Sequence, residues 1–213
     1  MKKTSLTHEQ IVTVALAQIE ESGLERFSTR KLGAALGIEA MSLYHYFPSK
    51  GHLLDAVADR ILTEVTVPDT PANDPVERFR QTCLHYRKVA RTYPQSFLLI
   101  AARRYNTPGA LALLESILAL LQEAGLSPER AARRFRLMGY FLNGALLSEL
   151  TISGQRPDST GSAVDAGGPA ELYAVAKSAP FLGAAYLEEA FQEGLELLLA
   201  QLAEELAASS PAT

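Results

Sequence analysis

Residues 28–50 read STRKLGAALGIEAMSLYHYFPSK, and this stretch decides the fold. Ser28 is a favoured cap for a helix N-terminus, with Thr29, Arg30, Lys31 and Leu32 opening the helix behind it. Leu32, Ala35 and Leu36 form one apolar face at helical spacing. Gly37 stands where a left-handed residue stops a helix, and Ile38 plugs the angle that follows. A second helix is predicted from Ala40 through Phe47. In it Leu43 and Phe47, four residues apart, turn inward, while Ala40, Met41, Ser42, Tyr44 and His45 turn out. Pro48 ends it and Ser49 caps the next. Lys50 then falls at a helix N-terminus, where backbone amides favour a phosphate. Two short helices joined this way can lay the second in the major groove of DNA.

Working outward, Thr7-His8-Glu9-Gln10 is a capping box for a first helix. That helix carries Ile11, Ala15 and Ile19 on one face and stops at Gly23. Residues Met1–Leu6, with Lys2 and Lys3, read as a frayed arm. A helix from about Lys50 to Val65 carries Leu53, Leu54, Val57, Ile61 and Leu62. The prolines of 67–75 make a loop. Beyond it the pattern is helical throughout, so the expected fold is all-α. Helices are predicted from Asn73 or Asp74 to Thr92, over Gln95–Arg104, over Pro108–Glu123 and from Pro128, capped by Ser127, to Ile152. After a Gly- and Ser-rich loop over 154–169 come a short helix over Ala170–Lys177 and a last one from Gly183 to Ala207.

The 28–50 stretch resembles the tetracycline-repressor family of bacterial transcription regulators. The likeness is carried by Thr29-Arg30-Lys31-Leu32, Leu36-Gly37, Leu43-Tyr44, Tyr46-Phe47 and Lys50, and continues through Leu53-Leu54-Asp55-Ala56. Met138-Gly139-Tyr140-Phe141-Leu142-Asn143-Gly144 and Phe191 to Leu197 resemble the tetracycline-repressor branch itself. The resemblance implies a helix-turn-helix DNA-binding domain over 1–52 and a helical effector-binding and dimerisation domain over 53–213. It implies a ligand-responsive regulator, a repressor released from a palindromic operator, working as a cytoplasmic homodimer.

Roles in the head follow from side-chain chemistry. Arg30 suits a bidentate contact to guanine or a phosphate. Thr29, Tyr44 and Lys50 suit phosphates that fix register. Ser42 can bond a base edge or a phosphate, Ala40 and Met41 can meet a thymine methyl, and His45 can reach the duplex or pack. In the body, Tyr86, Phe97, Tyr105, Phe135, Met138, Tyr140 and Asn143 are candidates to line an effector chamber, with core packing the alternative for each aromatic and Met. The resemblance places histidines of the tetracycline branch at Tyr140 and near Thr66, and an asparagine near Cys83. Tyr and Thr are poor replacements for imidazole at a metal. The expected effector is therefore a small molecule other than magnesium-tetracycline, with no metal and no cofactor.

A dimer is expected through Ala132, Phe135, Met138, Gly139, Leu142, Ala145, Leu146 and Glu149 on one helix and the wide apolar face of the last, the alternative being that both are one chain's core. Small residues Gly139, Gly144 and Gly194 allow close approach.

Composition sets the bounds. The chain has 213 residues, a net charge of −4 and one cysteine, so no internal disulfide framework can form. Residues 1–52 carry six Lys/Arg and five acids, a net +1, and the remainder carries −5. Such a balance rests DNA contact on a few placed cations and excludes a broad basic coat of the architectural kind. No signal peptide or membrane span is expected. No paired carboxylates, nucleophile elbow, metal spacing or phosphate loop is present in the pattern, so an enzyme is not expected.

Overall fold

The computed structural model describes residues 6–69, 74–103, 107–152 and 173–209. Tyr105, Lys2, Lys3 and the loop predicted over 154–169 lie outside them. Among the described residues the chain is helical with no strand. The α-helices are α1 (His8–Ser22), α2 (Thr29–Leu36), α3 (Lys50–Leu62), α4 (Pro75–Thr92), α5 (Phe97–Arg103), α6 (Pro108–Glu123), α7 (Pro128–Ile152), α8 (Tyr173–Ser178) and α9 (Leu187–Ser209). The chain forms two compact units, Met1–Thr66 with Lys88–Glu115 and Val67–Arg87 with Ser116–Thr213.

In the first unit the caps fall where the sequence puts them. The Thr7 hydroxyl accepts from the Gln10 amide while the Gln10 side chain accepts from the Thr7 amide, closing the capping box of α1. Gly23 (φ 85°) ends α1, and Gly37 (φ 68°, ψ 28°) ends α2 in the left-handed region that only glycine enters without cost. Ile11, Ala15 and Ile19 of α1, Leu32 of α2, Leu53, Val57 and Ile61 of α3, and Phe97 and Ile100 of α5 form the core. Burying each of the larger ones contributes about 2 kcal/mol.

This unit reaches beyond residue 52 because α3 is tied to α5 and to the start of α6. Arg103 pairs with Asp55 and donates to the Gly51 carbonyl at 3.3 Å. The Asp59 carboxylate accepts from the Gly109 amide at 2.7 Å, capping the N-terminus of α6. From α1, Glu20 accepts from the Ser96 hydroxyl at 2.6 Å and the Gln95 amide at 3.2 Å. Burial pushes the Glu20 carboxyl above its ordinary pKa, and these two bonds pull the other way.

The second unit packs α7 on α9. Met138, Leu142, Leu146 and Leu150 of α7 are buried, as are Phe191, Leu195, Leu199 and Leu202 of α9. Gly194 permits the approach: a Cβ there would lie 2.4 Å from Cε2 of Phe141, whose ring stacks on Phe191 at 5.6 Å between centroids. The face of α7 expected to pair with a second chain is thus the core face, with Met138, Leu142, Leu146 and Glu149 all inside. A different stripe of α7 is exposed: Leu137, Tyr140, Gly144 and Leu147, at alternating three- and four-residue spacing.

Candidate nucleic-acid interface and effector site

The head's reading surface is built on a corner. The Ser28 hydroxyl accepts from the Lys31 amide at 3.2 Å, starting α2. At the other end the Gly37 amide donates to Ala34 and the Ile38 amide to Gly33, at 3.2 and 3.0 Å. Gly33 is what lets the chain turn so tightly. A Cβ on it would sit 2.9 Å from the Ile38 carbonyl oxygen and 3.1 Å from the Ala40 nitrogen, both backbone atoms. The helical-face pattern does not single out Gly33, although a glycine inside a short helix is itself a signal of close backbone approach. Leu32 and Gly33 face inward, and Ala35, placed on the apolar face by spacing alone, is exposed.

The segment that follows is a tight 3-10 helix over Ala40–His45 in place of the α-helix expected through Phe47. Its bonds run three residues back, Ser42 to Glu39 at 2.9 Å and Tyr46 to Leu43 at 3.0 Å. Held between extended Glu39 and Pro48, the segment has room for two short turns, the usual setting for this geometry. Leu43 and Phe47 are buried, as their spacing predicts. His8 Nε2 donates to the Tyr46 carbonyl at 3.0 Å, and its ring meets the edges of Tyr46 and Phe47, so these aromatics serve the interior.

The rest of the segment faces out. Met41 is 70% exposed and Tyr44 41%. His45 and Arg30 are exposed too, while Thr29, Ala40 and Ser42 are half-buried. Lys50 follows a different course: its Nζ donates to the Phe27 carbonyl at 2.9 Å. Of the candidate DNA-contacting residues it alone has a bond to the interior of the head among the described residues.

The chamber candidates do not all gather. Tyr86 of α4 donates through its hydroxyl to Oδ1 of Asn143 of α7 at 2.8 Å. Met138 is buried and Phe135 half-buried. Tyr140 points the other way, 58% exposed, because it sits on the outer stripe of α7. Phe97 belongs to the first unit, where it is buried in the core on α5. Cys83 is buried, and burial pushes its thiol up to about 12, so it stays protonated and inert.

Beside Tyr86 lies a cluster that the sequence pattern does not announce. Arg87 is buried, and its guanidinium binds Glu149 of α7 at 3.1 and 3.3 Å and Glu188 of α9 at 3.0 and 2.8 Å. Its Cζ lies 3.7 Å from the centroid of the Phe191 ring. Burial pulls its pKa down, and the two carboxylates outweigh that and raise it. The one available signal is Arg87's place on the stripe of Phe79, Cys83 and Ala90, at helical spacing from residues that are all buried.

A capped helix–glycine–helical-turn corner with exposed Arg30, Met41 and Tyr44, carried by an all-helical chain, defines a helix-turn-helix DNA-binding protein. Residues 11–57 match the model of the bacterial regulatory proteins of the tetR family, and residues 67–206 match the tetracyclin repressor-like C-terminal domain. The chain belongs to the tetR family: it is a DNA-binding transcription regulator with a C-terminal ligand-binding domain. Over 94% of its length it is 32% identical to the tetracycline repressor protein class A of transposon 1721 from Escherichia coli, covering 92% of that protein. It is 30% identical over 70% of its length to the HTH-type transcriptional repressor DrrR1 of Streptomyces coeruleorubidus, spanning 55% of that relative. Among solved structures, ActR of Streptomyces coelicolor in complex with actinorhodin superposes with a TM-score of 0.78 at 27% identity, over 95% of this chain and 99% of that one. Among the described residues no helix is long and apolar enough to cross a membrane.

Proposed function

We propose that this chain is a cytoplasmic, homodimeric repressor that binds a palindromic operator and leaves it when a small molecule other than magnesium-tetracycline occupies its C-terminal domain. The observation that carries the reading is the exposure of Met41 and Tyr44 on a rigid corner beside exposed Arg30. A monomer's head has no use for two large unpartnered side chains on its tightest turn. Arg30 reads a guanine edge, Thr29 and Tyr44 fix register on phosphates, and Ala40, Met41, Ser42 and His45 meet bases or backbone. Repression is supported by the relatives, which are named as repressors.

The dimer is supported by the outer stripe of α7, Leu137, Tyr140, Gly144 and Leu147, together with Leu197 of α9, which is 63% exposed. A Cβ on Gly144 would meet nothing within 4 Å, leaving room for a second helix. On this reading Tyr140 moves from the chamber to the interface, and Tyr86, Asn143, Met138 and Phe135 remain chamber candidates. Phe97 stays with the core of the first unit, and Tyr105 lies outside the described residues. An effector other than magnesium-tetracycline is supported by Thr66 and Cys83, near which the resemblance puts a histidine and an asparagine of that branch. It acts by binding one body conformation better than the other, so DNA must weaken its binding reciprocally.

Selection from random double-stranded DNA by the purified protein at near-physiological salt tests this reading. Enrichment of one palindrome with half-sites about a helical turn apart is the expected result. Weak binding that fades with salt and enriches no sequence would refute it. The enriched duplex then serves to screen small molecules for release.

A further inference from the structure

Six glutamates lie on α9, and the helix carries no lysine or arginine. Three of them are paired inside the chain: Glu188 with Arg87, Glu196 with Arg80 and Glu205 with Arg134. The other three, Glu189, Glu193 and Glu204, are exposed and have no ion pair among the described residues. They fall in one line with exposed Leu197 and Ala200, at steps of three and four residues, on the side of α9 away from its buried leucines. On α7 charge is distributed the opposite way, with all four arginines in its first nine residues. Arg133 heads the exposed line of Leu137, Tyr140, Gly144 and Leu147, and its side chain is 67% exposed with one loose contact, 3.8 Å to Glu129. Arg130 is exposed just before it. Beyond Arg136 the one charge on α7 is Glu149, buried against Arg87.

The two helices run antiparallel. Arg134 near the start of α7 bonds Glu205 near the end of α9, and Arg87 joins Glu149 to Glu188 at the other end. One exposed surface therefore has a cationic end, where Arg130, Arg133 and Arg136 outnumber Glu129 and Glu204, and an acidic end at Glu189 and Glu193. Leu137, Tyr140 and Leu197 lie between them. Such a surface complements itself in one direction only. Turned about a two-fold axis perpendicular to the helices, each cationic end meets the acidic end of the other copy. Turned about an axis along the helices, like ends coincide, and like charges facing each other across an interface oppose association.

We propose that the exposed faces of α7 and α9 are keyed by charge for a second copy of this chain: Arg130 and Arg133 of one copy meet Glu189 and Glu193 of the partner subunit, over an apolar centre of Leu137, Tyr140 and Leu197. The inference rests on the homodimer reading given above and adds to it the direction of docking and the residues that set it. The occupant is the chain itself because the complement of each charged end lies on the same surface.

The test uses the full-length chain in two charge-reversed forms, one with Arg130→Glu and Arg133→Glu, the other with Glu189→Lys and Glu193→Lys. The two are mixed with each other, or either with the parent, unfolded in urea and refolded together, and the dimers are counted by native mass spectrometry. Chance pairing gives heterodimers as about half of the total. The two reversed forms are expected to give about nine-tenths heterodimer, because every facing pair is then opposite in sign, while each form alone dissociates about tenfold more readily than the parent. A mixture that stays near half overturns the proposal. A preference of the arginine-reversed form for the parent chain also overturns it, because that places the two arginine ends together. Arg133→Glu in one chain and Glu193→Lys in the other give the same comparison should the double forms fail to refold. A parent chain that is monomeric at micromolar concentration refutes the homodimer reading itself. A dimeric parent whose reversed forms pair by chance refutes only the charge key.

Discussion

The two compact units of this protein handle charge differently. In the first, acids from α1, α3 and the turn after it are the centres, accepting from neutral donors, with Glu64 also pairing with Arg60 and Asp55 with Arg103. Glu20 takes the Ser96 hydroxyl and the Gln95 amide, Asp59 takes the Gly109 amide, and Glu64 takes the Tyr93 hydroxyl at 2.9 Å. In the second, arginines are the centres. Arg80 binds Glu196, Arg87 binds Glu149 and Glu188, and Arg134 binds Glu205. The difference teaches how a head of nearly balanced charge can approach a polyanion. Within the first unit Glu20, Asp55, Asp59 and Glu64 are committed to internal bonds, only Glu20 of them within residues 1–52, while Arg30 stays exposed. The body instead spends its cations on joining helices far apart in sequence.

The sharpest way to break the comparison is at Arg87. Arg87→Ala takes the guanidinium away from buried Glu149, a change that costs about 3–5 kcal/mol. The melting temperature is expected to fall by about 10 °C, since each kcal/mol shifts a chain of this size by about 2–4 °C. Arg87→Met with Glu149→Leu removes both buried charges and is expected to recover most of the loss, because an apolar pair of similar volume needs no compensation. Recovery would show that the cluster specifies which helices meet and does little for net stability. If the single variant melted like the parent, the arginine-centred picture of the body would be wrong.

Gly33→Ala sharpens the other half. The added Cβ meets backbone at Ile38 and Ala40, which cannot swing aside as a side chain can, so about 1–3 kcal/mol of overpacking strain is expected. The strain falls on the joint between α2 and the recognition segment. Affinity for the selected duplex should therefore fall more than the melting temperature suggests. A variant with full DNA affinity would mean that the corner tolerates a wider angle than Gly33 enforces.

These two sites also show what can be read from the sequence. The corner is legible because its signals are local: Ser28 and Ser49 cap, Gly37 takes a positive φ, and Leu43 and Phe47 lie one turn apart. Pro108 and Pro128 mark helix starts to the residue. The tight geometry of Ala40–His45 is not legible, because apolar spacing over six residues fits an α-helix as well. On α7 the difficulty is deeper. Met138, Leu142 and Leu146 point inward while Leu137, Tyr140 and Leu147 point out, so both faces are apolar and periodicity cannot rank them. For that reason spacing alone sends Tyr140 to the chamber and Met138 to the chamber and the interface face alike. Arg87's place on a buried stripe signals that it is interior but not which acids it meets, because its partners lie 62 and 101 residues away.

The smallest effect is expected at the rim of the body, where Arg134 bonds Glu205 at 2.7 Å with the glutamate side chain 26% exposed. The bond from Arg134 holds the Glu205 carboxyl below its ordinary 4.5, with burial acting weakly in the other direction. The unfolded chain lacks that partner, so its glutamate titrates near 4.5. Folding is then stabilised by the pair at every pH above 4.5, and the gain disappears as pH falls through the lowered native value. Glu205→Gln is expected to cost between about 0.2 and 1 kcal/mol at neutral pH, the range of solvent-accessible pairs. The gap between variant and parent should close when melting is followed at successively lower pH, and should narrow in high salt. A gap that persisted in strong acid would mean that Glu205 contributes packing at the α7–α9 contact and not charge. That would set it apart from Arg87, whose buried partner Glu149 is shielded from solvent and whose pairing there salt should leave largely intact.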